Sequence, residues 1–290
     1  MMLMTLNNQY LKAKVNTKGA ELNSVLENNT EYLWQADPKY WPRHAPILFP
    51  IVGRLKGDHY QFNGHSYRMT QHGFARDLEF NVLKHNHEMI ELELHDDDET
   101  KKIYPFKFQL IVIYQLNQHQ INTHLIVKNI DNQSIWFSIG AHPGFNIPIQ
   151  HDLSTFNNYS INIAPKKMYQ RLGLKNSFSD FEHQIEEKIT KPIQLTHELF
   201  KNDARILELN RKETTVMLSN DIDNHGIALN VNHCPYLGIW SAQNAPFVCI
   251  EPWWGIADEI NHDSDFKTKI GINHLEPNQK FNAQFNMTFF

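Results

Sequence analysis

Four short stretches place ionisable side chains among glycine, proline and aromatic residues. The chemistry open to them is proton transfer and recognition of hydroxyl groups. In residues 46–55 (PILFPIVGRL) an apolar run delivers Arg54 directly after Gly53. A guanidinium offers several coplanar donors, which suit paired hydroxyls or a phosphate. Residues 71–76 (QHGFAR) hold His72 before Gly-Phe, and residues 138–145 (SIGAHPGF) hold His142 between small residues and a Pro-Gly pair. A histidine held that way suits proton transfer near neutral pH. In residues 245–258 an apolar run ends at Glu251, directly before Pro252, Trp253 and Trp254. A carboxylate among aromatic rings is costly to ionise unless paired, so its pKa can be tuned. Each stretch also has a plainer reading: a turn-capping arginine, a structural His72, a solvent-facing turn histidine, a buried salt bridge for Glu251. Taken together they supply an acid, a base and cationic or neutral donors, the parts that one proton-shuttling reaction needs.

Short strands must position these groups. The dominant apolar period is two, which predicts strands over 9–15, 21–26, 79–83, 89–94, 108–116, 121–127, 135–139, 159–163, 214–218, 227–231, 236–240, 247–250 and 281–289. Asn63-Gly64 marks a hairpin over 59–67. Helical signals are confined to 38–41 and 196–201, and 180–188 reads as a polar loop or short helix. This pattern predicts an all-β chain of packed antiparallel sheets. The acidic run Asp96-Asp97-Asp98-Glu99 lacks the glycine and spacing of a calcium loop and reads as a solvated turn.

Composition narrows the function. The 290 residues are long enough to bury a large core without disulfides or metals. A net charge of −5, with no long basic run, argues against nucleic acid as partner. Two cysteines, no signal peptide and no apolar stretch long enough for a membrane helix predict a cytoplasmic protein, with no membrane partner. No Walker loop, GxGxxG, GxSxG, HExxH or CxxC motif is present, and His85 and His87 fall in a polar hairpin tip, so no motif supports a metal site and none is assigned from sequence.

The order Gly53-Arg54, His72-Gly-Phe, His142-Pro-Gly-Phe and Glu251-Pro-Trp-Trp-Gly resembles the aldose 1-epimerase (galactose mutarotase-like) family, and most of all its bacterial branch associated with lactose operons. The resemblance runs from Lys18-Gly-Ala to the last strand. It implies a β-supersandwich, one domain over 1–290, with a shallow cleft across one sheet. It implies Glu251 as general base, His142 as general acid, Arg54 and His72 as groups holding the sugar near its ring oxygen, and Asp203 as a hydroxyl ligand. Trp240 and Trp253, read from their aromatic character, would add a stacking wall. The implied reaction interconverts the anomers of a hexose or hexose phosphate and uses no cofactor, since neither a redox change nor a group transfer occurs. It calls for Glu251 ionised and His142 protonated. Two other readings share the residues: a sugar-binding or regulatory protein on the same scaffold, and a hydrolase, which would want a second carboxylate such as Asp203 or Asp258 facing Glu251. Neither the particular sugar nor the oligomeric state is legible.

Overall fold

The computed structural model describes residues 1–150, 154–222 and 224–290. Two large sheets carry the chain, and the strands pair antiparallel throughout both. The nine-stranded sheet runs in the order Ile193–Gln194, Tyr159–Ala164, Thr214–Asn220, Gly226–Val231, Lys280–Phe289, Gln120–Asn129, Phe108–Asn117, Met89–His95, Asn81–His85. The eight-stranded sheet runs Phe178–Ile189, Lys167–Lys175, Arg205–Glu208, Tyr236–Trp240, Phe247–Trp254, Ile139–Ala141, Ile47–Leu48, and Gly144–Asn146 also pairs with Phe247–Trp254.

Period-two alternation builds the interior between these sheets. In Gln120–Asn129 the residues Ile121, Thr123, Leu125 and Val127 are buried, while their neighbours are only partly covered. Leu125 and Val127 share one apolar cluster with Val248 and Ile250 of the other sheet. Each such side chain stabilises the fold by roughly 1.5–3 kcal/mol when fully buried. The expected all-β antiparallel supersandwich is therefore the observed architecture. Asp98–Ile103 is the sole α-helix among the described residues, and none of their helices is long and apolar enough to cross a membrane.

Several local expectations change. Residues 180–188 belong to the strand Phe178–Ile189. That strand forms one edge of its sheet and is mostly exposed, so neither face imposes the apolar alternation by which strands are recognised. The acidic run starts the helix Asp98–Ile103: Asp97 accepts from the Glu99 and Thr100 amides, and Thr100 Oγ1 accepts from the Asp97 amide. The predicted strand 135–139 divides at Ser138. Ile135–Phe137 pairs with Asn273–Leu275, whereas Ile139–Ala141 joins the eight-stranded sheet. The signals at 38–41 and 196–201 give a single turn and the 3-10 helix His197–Phe200.

Candidate active site

The strand Phe247–Trp254 forms the floor of the site. It is buried along its whole length, and its two faces have different tasks. Val248 and Ile250 point into the core between the sheets, while Cys249 and Trp253 join apolar clusters on the opposite face and Glu251 lines a cleft there.

His142 reaches the same face through an interrupted neighbour. Gly140 pairs with Trp253, and beyond the break Gly144 pairs with Cys249. The two fragments keep one register, so His142 stands directly across from Glu251. What looks in sequence like a Pro-Gly turn is thus a gap in a continuing ladder. Pro143 and Pro252 lack the amide hydrogens that would close it. The Ile250 amide still donates to the Pro143 carbonyl at 3.2 Å, which marks 143/250 as a hydrogen-bonded position and 142/251 as a non-hydrogen-bonded one. Side chains lie closest at such positions. Accordingly, His142 Nε2 is 3.0 Å from Glu251 Oε2.

On the other flank Gly238 lies opposite Glu251. A Cβ at Gly238 would fall 2.8 Å from Trp253 Cζ2, and one at Gly140 would fall 2.9 Å from Trp253 Cδ1. The missing side chains on both neighbouring strands let the Trp253 indole lie across the sheet. The His142 ring stacks on Trp41 at 4.7 Å and meets the edges of His72 and Trp240 at 5.6 and 5.7 Å.

His72 has φ +68°, a left-handed conformation uncommon outside glycine. It is held there from both sides. The Gly53 amide donates to His72 Nδ1 at 3.1 Å, and a Cβ on Gly73 would come within 2.3 Å of the Phe49 carbonyl oxygen. With Nδ1 accepting, a neutral ring carries its hydrogen on Nε2, free for a ligand oxygen. Burial pushes the His72 pKa well below its ordinary value, helped by His142 and by the Arg76, Arg43 and Arg54 charges.

The cleft has a volume of about 280 Å³. Of the residues expected from sequence, His72, His142, Asp203, Trp240, Glu251 and Trp253 all line it. Asp203 is also left-handed, at φ +81°; its Oδ1 accepts from the Ala204 amide at 2.8 Å and its Oδ2 from the Ser177 hydroxyl at 3.2 Å. Arg54 is not brought into the cleft lining. Its Nε lies 3.9 Å from Asp58 Oδ1, and its side chain is 43% exposed. The left-handed Gly53 turns its amide to His72, and the Arg54 side chain leaves toward Asp58. The guanidinium in the cleft wall is Arg76, which donates to the Gln71 carbonyl at 2.6 Å. Burial, with the nearby Arg43 charge, pushes Arg76 down to about 10. Trp41 and Ser177 also line the cleft. Arg76 stands in the QHGFAR stretch, four residues after His72, so its place beside the site has a local sequence signal. Trp41 and Ser177 arrive from turns and carry no local signal.

Electrostatics set the resting state of the His–Glu pair. Burial raises the Glu251 carboxyl well above its ordinary value; the Trp253 indole N–H opposes the rise and the Asp203 charge adds to it. Burial also pushes His142 down to about 3, and the Arg76 and Arg43 charges act in the same direction. Burial thus favours the neutral pair, with the proton on Glu251, over the ionised-Glu, protonated-His arrangement expected from sequence. Both arrangements hold one proton, and they differ by its transfer across 3.0 Å. The Glu251 carboxyl meets His142 Nε2 and the Trp253 indole N–H at imperfect hydrogen-bond geometry, and Nδ1 of His142 is buried without a partner. Unpaired polar atoms of this kind are costly unless a ligand pairs them.

An antiparallel sandwich with acid–base groups, neutral donors and tryptophans around one cleft defines a protein built to handle a polyhydroxylated ring. The aldose 1-epimerase family model matches residues 2–288. The chain belongs to the aldose 1-epimerase family. It is 29% identical to the chromosomal LacX protein of Lactococcus lactis, with 99% of each chain covered. The crystal structure of a galactose mutarotase related enzyme from Lactobacillus acidophilus is 39% identical, covers 100% of this chain and 97% of its own, and superposes with a TM-score of 0.97. A galactose mutarotase-like protein from Lactobacillus casei is 32% identical with both chains fully covered and a TM-score of 0.91.

Proposed function

We propose that this cleft interconverts the α and β anomers of a hexose or hexose phosphate, with the chain acting as a single domain and Glu251 and His142 moving the protons. The observation that carries the proposal is the 3.0 Å contact between His142 Nε2 and Glu251 Oε2 on the cleft floor. Ring opening removes a proton from the anomeric hydroxyl and delivers one to the ring oxygen. Sugar hydroxyls supply the hydrogen bonds that an ionised Glu251 lacks in the open cleft, so binding favours transfer of the shared proton to His142. Glu251 then takes the anomeric proton and His142 protonates the ring oxygen. Half a turn about C1–C2 presents the other carbonyl face, and the reverse transfers close the ring. The count of protons on the enzyme is the same before and after.

The remaining side chains orient the ring. The His72 Nε2–H and the Arg76 guanidinium donate to sugar oxygens, and Asp203 accepts from a hydroxyl. Trp240 and Trp253 cover apolar ring faces. Arg76, half desolvated and beside Arg43, gains from an anionic substituent, which is what keeps a hexose phosphate in the proposal. A sugar-binding protein without catalysis would have no use for a proton shared between two buried groups. The test is polarimetric decay of fresh α-D-galactose and α-D-glucose, with NMR anomer exchange for their 6-phosphates. Acceleration over buffer supports the reading. Measurable binding with no acceleration on any of these sugars overturns it in favour of a binding protein.

A further inference from the structure

Cys249 takes no part in that reaction, yet it lies beside the groups that do. It follows Phe247–Trp254 alternation onto the same face as Glu251, two residues away, and is fully buried. Its ladder partners are Gly144 on one flank and Trp240 on the other. The second cysteine is different. Cys234 donates its thiol hydrogen to the Tyr236 and Trp253 carbonyls at 3.1 and 3.3 Å, as a structural cysteine does. Among the described residues Cys249 Sγ has no hydrogen-bond partner. One ligand atom each from His142, Cys249 and Glu251 all lie within 4.8 Å of one another.

We infer that His142, Cys249 and Glu251 form a binding site for a thiophilic divalent cation, Zn²⁺ being the prototype, at the floor of the cleft. The donor set is the one that suits the ion. Thiolate, imidazole nitrogen and carboxylate oxygen are the three ligand types zinc takes, at about 2.3, 2.0–2.1 and 2.0–2.2 Å. Those bonds put tetrahedral ligands roughly 3.3–3.7 Å apart. The His142–Glu251 pair, at 3.0 Å, opens by a few tenths of an ångström and the wider spacings, none above 4.8 Å, close by up to about 1 Å to grip the ion, within the reach of small χ rotations of Glu251 and Cys249. The fourth position opens toward the cleft.

Charge supports the same assignment. A doubly charged ion with one thiolate, one carboxylate and a neutral imidazole is neutral overall, so no net charge is buried. Neutral imidazole is the form that binds metal. On binding, the Cys249 S–H bond breaks and an S–metal bond forms. The proton shared by His142 and Glu251 leaves as well, so two protons pass to solvent for each ion bound and no redox change occurs. The ion takes the place of the proton that the proposed reaction moves, and it blocks the sugar that must lie against the same atoms.

The inference can be tested whether or not the cleft is catalytic, because the primary readout is metal binding. Calorimetry with Zn²⁺ alone is expected to show one site per chain and release of two protons, read from buffers of different ionisation enthalpy. Cd²⁺ is expected to give a thiolate charge-transfer band in the ultraviolet. Cys249→Ala should weaken Zn²⁺ binding by at least about tenfold and remove the band, whereas Cys234→Ala should change neither. If mutarotation is present, Zn²⁺ should inhibit it competitively with sugar in the wild type, and Cys249→Ala should resist inhibition while keeping its basal rate. If Cys249→Ala fails to fold, Glu251→Gln and His142→Ala take its place, each expected to weaken Zn²⁺ by the same order. Unchanged Zn²⁺ affinity in Cys249→Ala, or no Zn²⁺ binding to the wild type at neutral pH, overturns the inference.

Discussion

Pro143 and Pro252 stand on facing strands, one step to either side of the His142–Glu251 position, and each withholds a backbone donor from the ladder at that point. The catalytic candidates sit where the sheet's own hydrogen bonding is thinnest. A ladder intact on both sides holds them in register, while the gap leaves room on the cleft face for a ligand.

Removing either member of the pair separates chemistry from folding. Glu251→Gln and His142→Ala should each lower the mutarotation rate by about 10²–10⁴-fold, the usual worth of a placed acid or base. Polarimetry on the fastest sugar measures it. A rate within threefold of wild type for Glu251→Gln would remove Glu251 from the mechanism.

Glu251→Gln should also stabilise the protein, and more so as pH rises. The unfolded chain ionises this carboxyl near its ordinary value of 4.5, whereas the folded chain keeps it protonated to higher pH. Between those two values ionisation favours only the unfolded state, so wild-type stability falls with rising pH while the amide is spared. Thermal melts from pH 4 to pH 9 should show the gap in Tm growing with pH.

The pH–rate profile should be a broad bell. In the proposed mechanism the active form holds one proton on the pair, which titrates as a unit. Adding a second proton requires His142 to charge, and burial has pushed it down to about 3, so the acid limb lies far below the ordinary histidine range. Removing the one proton requires Glu251 to ionise against a raised pKa, so the alkaline limb lies well above the ordinary carboxyl range. A single limb centred near pH 6.5 in kcat/KM would show that His142 titrates as a free imidazole and would sink the shared-proton account.

Arg76→Ala should cost about 10–100-fold in kcat/KM, the value of a charge-assisted hydrogen bond in a buried wall, and more for a phosphorylated hexose than for a free one. Arg54→Ala should cost less than about threefold, because that side chain is outside the cleft lining. Steady-state kinetics on both variants decide between the two arginines. The reverse ranking would mean that Arg54 swings into the cleft when sugar binds.

Gly238→Ala tests the floor. The new methyl would meet the Trp253 ring at 2.8–2.9 Å, so the indole must move while the backbone need not. The expected result is a folded protein with KM raised several-fold and Glu251 still reactive. Sugar titrations followed by tryptophan fluorescence should show the same loss of affinity.

How much of this was legible depended on whether a residue's environment was local. Strands with one buried face, such as Gln120–Asn129, declare themselves by alternation. The exposed arm Phe178–Ile189 does not, because no core filters its residues. Glu251, His142 and His72 stood out because proline, glycine and tryptophan beside them mark unusual backbone. Arg54 carried the same signal, a glycine before an arginine, but direction of departure from a left-handed turn is not encoded in two residues. Trp41 reaches His142 across about a hundred positions of chain, through a turn that any polar loop could have made. Residue type gives only the ordinary pKa; burial on all sides, which only the assembled sheets create, raises Glu251 and lowers His142.

The unbroken register on either side of His142 makes its direction a question of parity. Substitutions between Gly140 and Gly144 can alter fit, but they leave odd and even positions where they are. Insertion or deletion of one residue there would turn the imidazole toward the inter-sheet core and bring an apolar neighbour to face Glu251. A change of two would bring a residue of the original phase back to that place. The length of that segment is thus as much a requirement of the cleft as the identity of His142 itself, whereas surface loops ordinarily tolerate changes of length.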